Sequence, residues 1–255
     1  IYTGEDTLSL HDALPISGQI AANAAQLNIQ TDTLNSESGQ IIHAGQNGLT
    51  IKARQIDAAQ GKIVSNAHLN VDAKKINLNQ AQTQAHQIKI TADQLSHQQG
   101  QMAQTGQLSA AQLHIQNILD NSQGSILSNH GLEISAKQLE NQKGILQSAQ
   151  NQSMSLDIAE LFSNTEGKVF SGLDLNIQAQ VLNNQNAQLQ AVNQLNLKVV
   201  QQLNNQQGLI AAQKQLAIQA NQLNNTQGQI ASLDDQAHLE LSSINNSSGL
   251  VQAVR

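Results

Sequence analysis

Leu203-Asn-Asn-Gln-Gln-Gly208-Leu-Ile210-Ala-Ala-Gln-Lys-Gln-Leu216-Ala-Ile218-Gln-Ala220-Asn-Gln-Leu223-Asn-Asn-Thr-Gln-Gly228 states a pattern and then starts it again. An aliphatic residue is followed by Asn two positions on and Gly five positions on, and then by alternating aliphatic residues. Such internal repetition decides fold class before any single motif does. Aligned on the Gly, the anchors are Gly18, Gly39, Gly61, Ala81, Gly100, Gly124, Gly144, Gly167, Ala187, Gly208, Gly228 and Gly249. The intervals are nearly even, the shortest running from Ala81 to Gly100 and the longest from Gly100 to Gly124. The Asn slot holds Asn121, Asn141, Asn164, Asn184, Asn205, Asn225 and Asn246 in the later repeats, and Ser36, Ala58, Leu78 and His97 in the earlier ones.

Between anchors, pairs such as Leu49/Ile51, Leu69/Val71, Ile88/Ile90, Leu195/Leu197 and Leu216/Ile218 alternate with polar residues. Period-two alternation places one set of side chains inward and the other outward, which defines a strand. A helical reading needs apolar spacings of three and four over ten or more residues, and the Gly and Asn-Asn punctuation works against it. Gly or Asn at each corner is expected to supply left-handed or bridging backbone. Each turn buries some six aliphatics at about 1.5–3 kcal/mol each. Ordering its backbone costs about 1–2 kcal/mol per residue, so a single turn cannot fold alone. Stacking turn on turn pairs every backbone group with the rungs above and below. The expectation is an all-β, single-stranded parallel β-helix of about 21 residues per rung and roughly eleven rungs. Stacking also places Asn121 through Asn246 in register, where their amides can bond along the axis as a ladder.

Composition fits a narrow rod. Of 255 residues 39% are hydrophobic but only 1% aromatic, so the bulky rings of an ordinary globular core are missing. Charged residues are 12% and the net charge is −6, with no basic stripe interleaved with aromatics, which argues against nucleic acid as a partner. Cysteine is absent, so there is no disulfide framework. No apolar run approaches the roughly 18 residues needed to span a bilayer, and no membrane insertion is expected.

Thr7-Leu-Ser-Leu-His-Asp-Ala-Leu-Pro-Ile16 resembles the translation of a common sequencing-library adapter, and the segment carries the only Pro and the only Tyr of the chain. Residues 1–16 are therefore expected to be non-native, leaving 17–255 as a repeat array truncated at both ends.

Leu139-Glu-Asn141-Gln-Lys-Gly144, Leu203-Asn-Asn205-Gln-Gln-Gly208-Leu-Ile210 and Leu223-Asn-Asn225-Thr-Gln-Gly228-Gln-Ile230 resemble the repeats of filamentous-haemagglutinin-type proteins of Gram-negative bacteria. The resemblance extends over 17–255. It implies a right-handed β-helix stalk, exported by two-partner secretion through an outer-membrane transporter and displayed at the cell surface. Full-length members act as adhesins or as contact-dependent growth-inhibition proteins with a C-terminal toxin, and so meet a host-cell or neighbouring-bacterium receptor. Residues 17–255 show neither an N-terminal secretion domain nor a non-repetitive C-terminal domain.

No catalytic constellation emerges. Asp234, Asp235 and Glu240 are the nearest approach to paired carboxylates, and charged residues at an exposed turn explain them as well. His43, His68, His86, His97, His114, His130 and His238 occupy different offsets from their anchors, so stacking does not converge them on a metal ion, and solvent-facing or corner positions are expected. Thr50, Thr83, Thr91 and Thr105 are equally scattered, which leaves no flat ice-binding face. No cofactor and no catalysis are expected. Asn151-Gln-Ser153, Asn224-Asn-Thr226 and Asn245-Asn-Ser247 match the glycosylation acceptor pattern, for which an Asn-rich composition is sufficient explanation. Phe162 and Phe170 mark a locally thicker core or a binding spot. The structural residues expected to matter are the seven Asn and the turn glycines Gly39, Gly61, Gly100, Gly124, Gly144, Gly167, Gly208, Gly228 and Gly249.

Overall fold

A computed structural model describes residues 6–9 and 18–254. Among them there are 23 strands and no helix. The strands follow the chain as a solenoid: each pairs in parallel with its counterpart one turn later, as Leu195 does with Leu216 and Leu216 with Ala237. The array makes about eleven turns, a β-solenoid. One regular turn comprises a short strand Leu209–Ala212, a three-residue link, the long strand Leu216–Asn224 and the corner 225–228. Long strands bend midway, where the register slips, as between Val199 and Gln202. In two turns the link itself is extended, and single strands run Lys62–Asn77 and Gln82–Ser96.

The alternating aliphatics face inward as columns. Ile51, Val71, Ile90, Leu113, Ile134, Leu156, Ile177, Leu197 and Ile218 stack in register, all nearly inaccessible. A second column runs Leu34, Ile56, Ile76, Leu95, Leu119, Leu139, Phe162, Leu182, Leu203 and Leu223. Since inward positions are filled one rung at a time, the interior is only two or three side chains wide, which explains the scarcity of aromatics. Phe162 is 0% exposed and stands where other turns have Leu or Ile, so the surface role considered for it is excluded. Phe170 is the outward member of the pair and is half-buried.

The expectation that 1–16 is adapter-derived falls largely outside the described residues. Within that segment Asp6–Ser9 runs parallel to Leu27–Gln30.

Candidate functional site

The corner is the most conspicuous construction in the molecule. Asn121, Asn141, Asn164, Asn184, Asn205 and Asn225 are all 0% exposed. Each donates from Nδ2 to Oδ1 of the Asn one rung on, at 2.7–2.9 Å, ending at Asn246. The same Nδ2 also faces the carbonyl of the anchor residue three positions later, as Asn205 does Gly208 O at 3.2 Å, and a carbonyl of the next rung, Gln229 O at 3.2 Å. Main-chain carbonyls thus dictate which end of each amide is nitrogen. A buried polar side chain is tolerated because every hydrogen-bonding atom is matched.

At its N-terminal end the column meets His97, whose Nδ1 lies 2.8 Å from Asn121 Oδ1. Burial pushes the His97 imidazole below its ordinary pKa, partly opposed by the bond to Asn121. Its Nε2 has no partner among the described residues. Below it the slot is filled by Leu78 and Ala58, both buried, and by Ser36.

The glycines serve a different purpose from the one expected of them. The left-handed residue at each corner is the one before the anchor: Ser38, Gln60, Gln80, Gln99, Gln123, Lys143, Glu166, Asn186, Gln207, Gln227 and Ser248, with φ of 54–58°. Gly208 is needed because a Cβ there would collide with the carbonyl of Asn184 in the rung below and with Oδ1 of Asn205. Gly124, Gly144, Gly167, Gly228 and Gly249 meet equivalent carbonyls and amides; Gly61 meets Ser36 O and Gly39 O, and Gly100 meets the His97 ring. Gly39 closes the same turn through its N–H to Ser36 O at 2.9 Å. Ala187 occupies the anchor with a stretched turn, its N–H 3.3 Å from Asn184 O against 3.0 Å at Gly208.

Two further polar columns went unread in the sequence. Asn183, Asn204 and Asn224 flank the corner on its outer side, and here each Nδ2 donates backward, Asn204 to Asn183 and Asn224 to Asn204, both at 3.1 Å. Their Oδ1 atoms are held by main-chain N–H groups two residues on, at Gln206 and Thr226. The other column closes the short strand: His43, Ser65, Gln104, Ser128, Ser148, Ser171 and Ser232, all buried. Ser148 and Ser171 hydroxyls meet at 3.2 Å, and His43 spans Ser65 Oγ at 3.2 Å and Ala24 O at 3.0 Å. The signal was a constant offset of four residues after the anchor. His43 is therefore interior, neither solvent-facing nor at the corner, because a hydroxyl and a carbonyl partner await it there.

The remaining histidines are scattered. His86, His114 and His238 are exposed, His68 and His130 half-buried. Among the described residues no three His, Asp or Glu side chains converge as a metal site would require. Asp234, Asp235 and Glu240 accept from Gln213, Gln215 and Gln219 of the preceding rung, at 2.6, 3.4 and 3.1 Å. Shallow grooves follow the bend of the long strand. One is of about 500 Å³, lined by Lys198, Val200, Gln219 and Glu240; another, of about 400 Å³, holds Lys52, Arg54, Asp72 and Lys74. Arg54 grips the Asp32 carboxylate with two bonds of 2.8 Å, which hold the carboxyl below its usual range.

No helix of the described residues is long and apolar enough to cross a membrane. No curated protein and no solved structure matches the chain. A family model described as the haemagglutinin repeat matches residues 3–47, 20–123, 103–156, 151–205 and 192–249. These matches together cover nearly the whole sequence, so the chain belongs to the filamentous haemagglutinin repeat family.

Proposed function

We propose that residues 17–255 are a spacer section of a surface-displayed stalk that carries a distal adhesive or toxic domain away from a Gram-negative cell. The family is one of structural segments of secreted, adhesin-type proteins. The observation that carries the reading is uniformity: an anchor recurs at every turn from Gly18 to Gly249 without a large insertion, and the polar columns continue from turn to turn. At about 4.8 Å per rung, such an array reaches roughly 50 Å. Low charge and Gln/Asn-rich faces suit a chain that crosses an outer-membrane transporter unfolded and folds outside, one rung upon the next. Recognition by that transporter belongs to an N-terminal secretion domain, and catalysis has no part in the role.

Excising residues 184–224 from the parent protein removes two turns in register, because Asn183 then precedes Asn225. A spacer keeps surface display and the distal activity while its reach shortens by about 10 Å. Normal display with loss of activity overturns the reading. A second reading makes the lateral face itself adhesive toward a host glycan or receptor. It is favoured by Leu127 and Ile145, both about 40% exposed, close to the outward Phe170 on the short-strand face. Glycan-array and cell-binding measurements on residues 17–255, repeated with Phe170→Ser, separate the two.

A further inference from the structure

The four residues that follow each anchor form the short-strand face of the rod, and their composition is unlike that of the other faces. From 19–22 to 250–253 none of these tetrads contains Asp or Glu, although the chain has 18. Their only Lys or Arg residues are Lys62 and Lys168. The long strands, by contrast, present Asp72, Glu133, Asp157 and Glu240 to solvent. With a net charge of −6, two copies of the chain repel wherever carboxylates meet carboxylates, and on the short-strand face they do not meet. Aliphatic side chains stand open there or at its margin instead: Leu127, Ile145, Val192 and Leu233 are each about 40% exposed.

Pairing is in register from turn to turn, so one outward column runs along this face from Ala21 to Gln252. Its order of sizes is self-complementary about the midpoint between Leu127 and Gln147. Counting away from that midpoint, Phe170 on one side answers Ala103 on the other, and Gln190 answers Gln84. Further out, Ala211 answers Val64 and Ala231 answers Ile42. Ala211 and Ala231 are recessed, only 8% and 6% exposed although they lie outside the core. Large side chains thus have small counterparts, and an amide has an amide.

We propose that this face docks on the same face of a second copy of the chain, with the two rods antiparallel about a two-fold axis between the Leu127 and Gln147 rungs. In such an isologous contact residue i meets j and j meets i. Phe170 of each copy fills the space left by Ala103 of the other, Val64 and Ile42 enter the dips at Ala211 and Ala231, and the Gln84 and Gln190 amides meet. Lys62 and Lys168 fall opposite Leu209 and Gln101, never opposite each other. A parallel arrangement sets Phe170 against Phe170 and alanine against alanine, which overpacks one rung and leaves voids at others. Five residues across at about 3.3 Å each, and roughly 50 Å long, the face offers about 800 Å² per copy, the area of a standard stable interface. The pairing needs only the rod, and holds whether or not the rod is a spacer.

The test uses the full chain, whose lack of cysteine makes introduced thiols unambiguous reporters. Gln84→Cys and Gln190→Cys are mixed in equal amounts at micromolar concentration and treated with a short bismaleimide, because packed sheets stand about 10 Å apart. The mixture should yield a covalent dimer at least tenfold in excess of either variant alone. Two copies of one variant hold their thiols five rungs, about 24 Å, apart. End-to-end association leaves both positions remote from the junction and gives no such product. Phe170→Glu should lower the mixed product at least tenfold and melt within a degree or two of the parent. Adding Ala103→Lys to Phe170→Glu should restore it, because each new carboxylate then meets a new ammonium on the other copy. Equal cross-linking by a single variant, which marks a parallel register, overturns the proposal. So does a mixed product no greater than that of Gln178→Cys with Gln219→Cys on the long-strand face, or a failure of Ala103→Lys to rescue. Absence of the product, together with glycan binding that Phe170→Glu abolishes, assigns the face to a host ligand and overturns it as well.

Discussion

His97 Nδ1 and Asn121 Oδ1 meet at 2.8 Å inside the corner, and Asn121 Oδ1 can only accept. His97 must therefore carry its proton on Nδ1, and its Nε2 is the bare nitrogen, buried beside Gly100 without a partner among the described residues. Protonation would bury a second N–H there with no hydrogen-bond partner among the described residues. Asp120, on the next rung, is no counter-charge, since it faces outward and binds Ser122 N–H and the Gln98 amide.

The consequence is a pH dependence of definite sign. The folded state lowers the His97 pKa, so its stabilising contribution is complete above the ordinary imidazole value of about 6.5 and is lost as pH falls through the folded pKa. Thermal melting at pH 7.5, 6 and 5 should show a falling midpoint. His97→Asn, which extends the amide column by one member, should flatten that dependence and raise stability at pH 7 by about 1 kcal/mol. An unchanged slope in the variant would refute the assignment.

Within the column, Asn205→Ala takes from the Asn184 amide its shortest acceptor, leaving only the longer contacts to Ala187 O and Leu209 O, and leaves Asn225 Oδ1 without its donor. Each atom deprived in this way costs about 1–3 kcal/mol, so a loss of about 2–5 kcal/mol is expected, with amide exchange accelerated in the rungs on both sides. Ala58 and Leu78 occupy successive rungs of the same slot, both buried, each with the other as an apolar neighbour. A compensated block, Asn184, Asn205 and Asn225 all to Leu, should accordingly cost less per site than the single change. Urea denaturation of the three variants measures this.

Gly208→Ala drives a Cβ into the carbonyl of Asn184 and should cost about 1–3 kcal/mol, as overpacking does elsewhere. The converse applies at Ala187, where Ala187→Gly should relax the stretched 3.3 Å turn bond and raise the melting midpoint. Gln207→Val tests the other half of the corner. A β-branched residue at φ of 56° is strained, with a penalty of about 1–2 kcal/mol for left-handed backbone.

At the last described turn Ile244 and Leu250 are each nearly half exposed, and the strand edges there lack a partner rung. Open edges of this kind template pairing. Residues 17–255 should therefore associate end to end at micromolar concentration, in a manner that Lys substitution at Ile244 and Leu250 suppresses. Sedimentation velocity distinguishes this from a clean monomer.

Much of this architecture is legible from repetition, because one solution of the packing problem is written again at every turn. The inward aliphatics and the Asn at the corner recur at fixed offsets, and a fixed offset in a solenoid is a column. The Ser column was equally periodic, yet His43, Gln104 and several Ala interrupt it, so identity alone obscured what position makes plain. Which corner residue takes positive φ was illegible for a different reason. Composition draws attention to Gly, but the demand on Gly comes from the rung below, a long-range contact. The five-residue link 149–153 lengthens the interval between Gly144 and Gly167, but the exposure of Asn151 within it exists only in three dimensions.

The inner and outer asparagine columns point in opposite directions, one handing its amide hydrogens forward along the rod and the other backward. Main-chain groups impose both orientations, so neither can flip to follow the other. An α-helix aligns its peptide units and accumulates about half a charge at each end. Here the side-by-side amide dipoles cancel where the columns run together, as the alternating peptide dipoles of the strands do. A rod built this way gains no axial polarisation with length. Its tip stays electrically as quiet after a hundred turns as after ten, so length can change freely without altering how the two ends attract ions or one another.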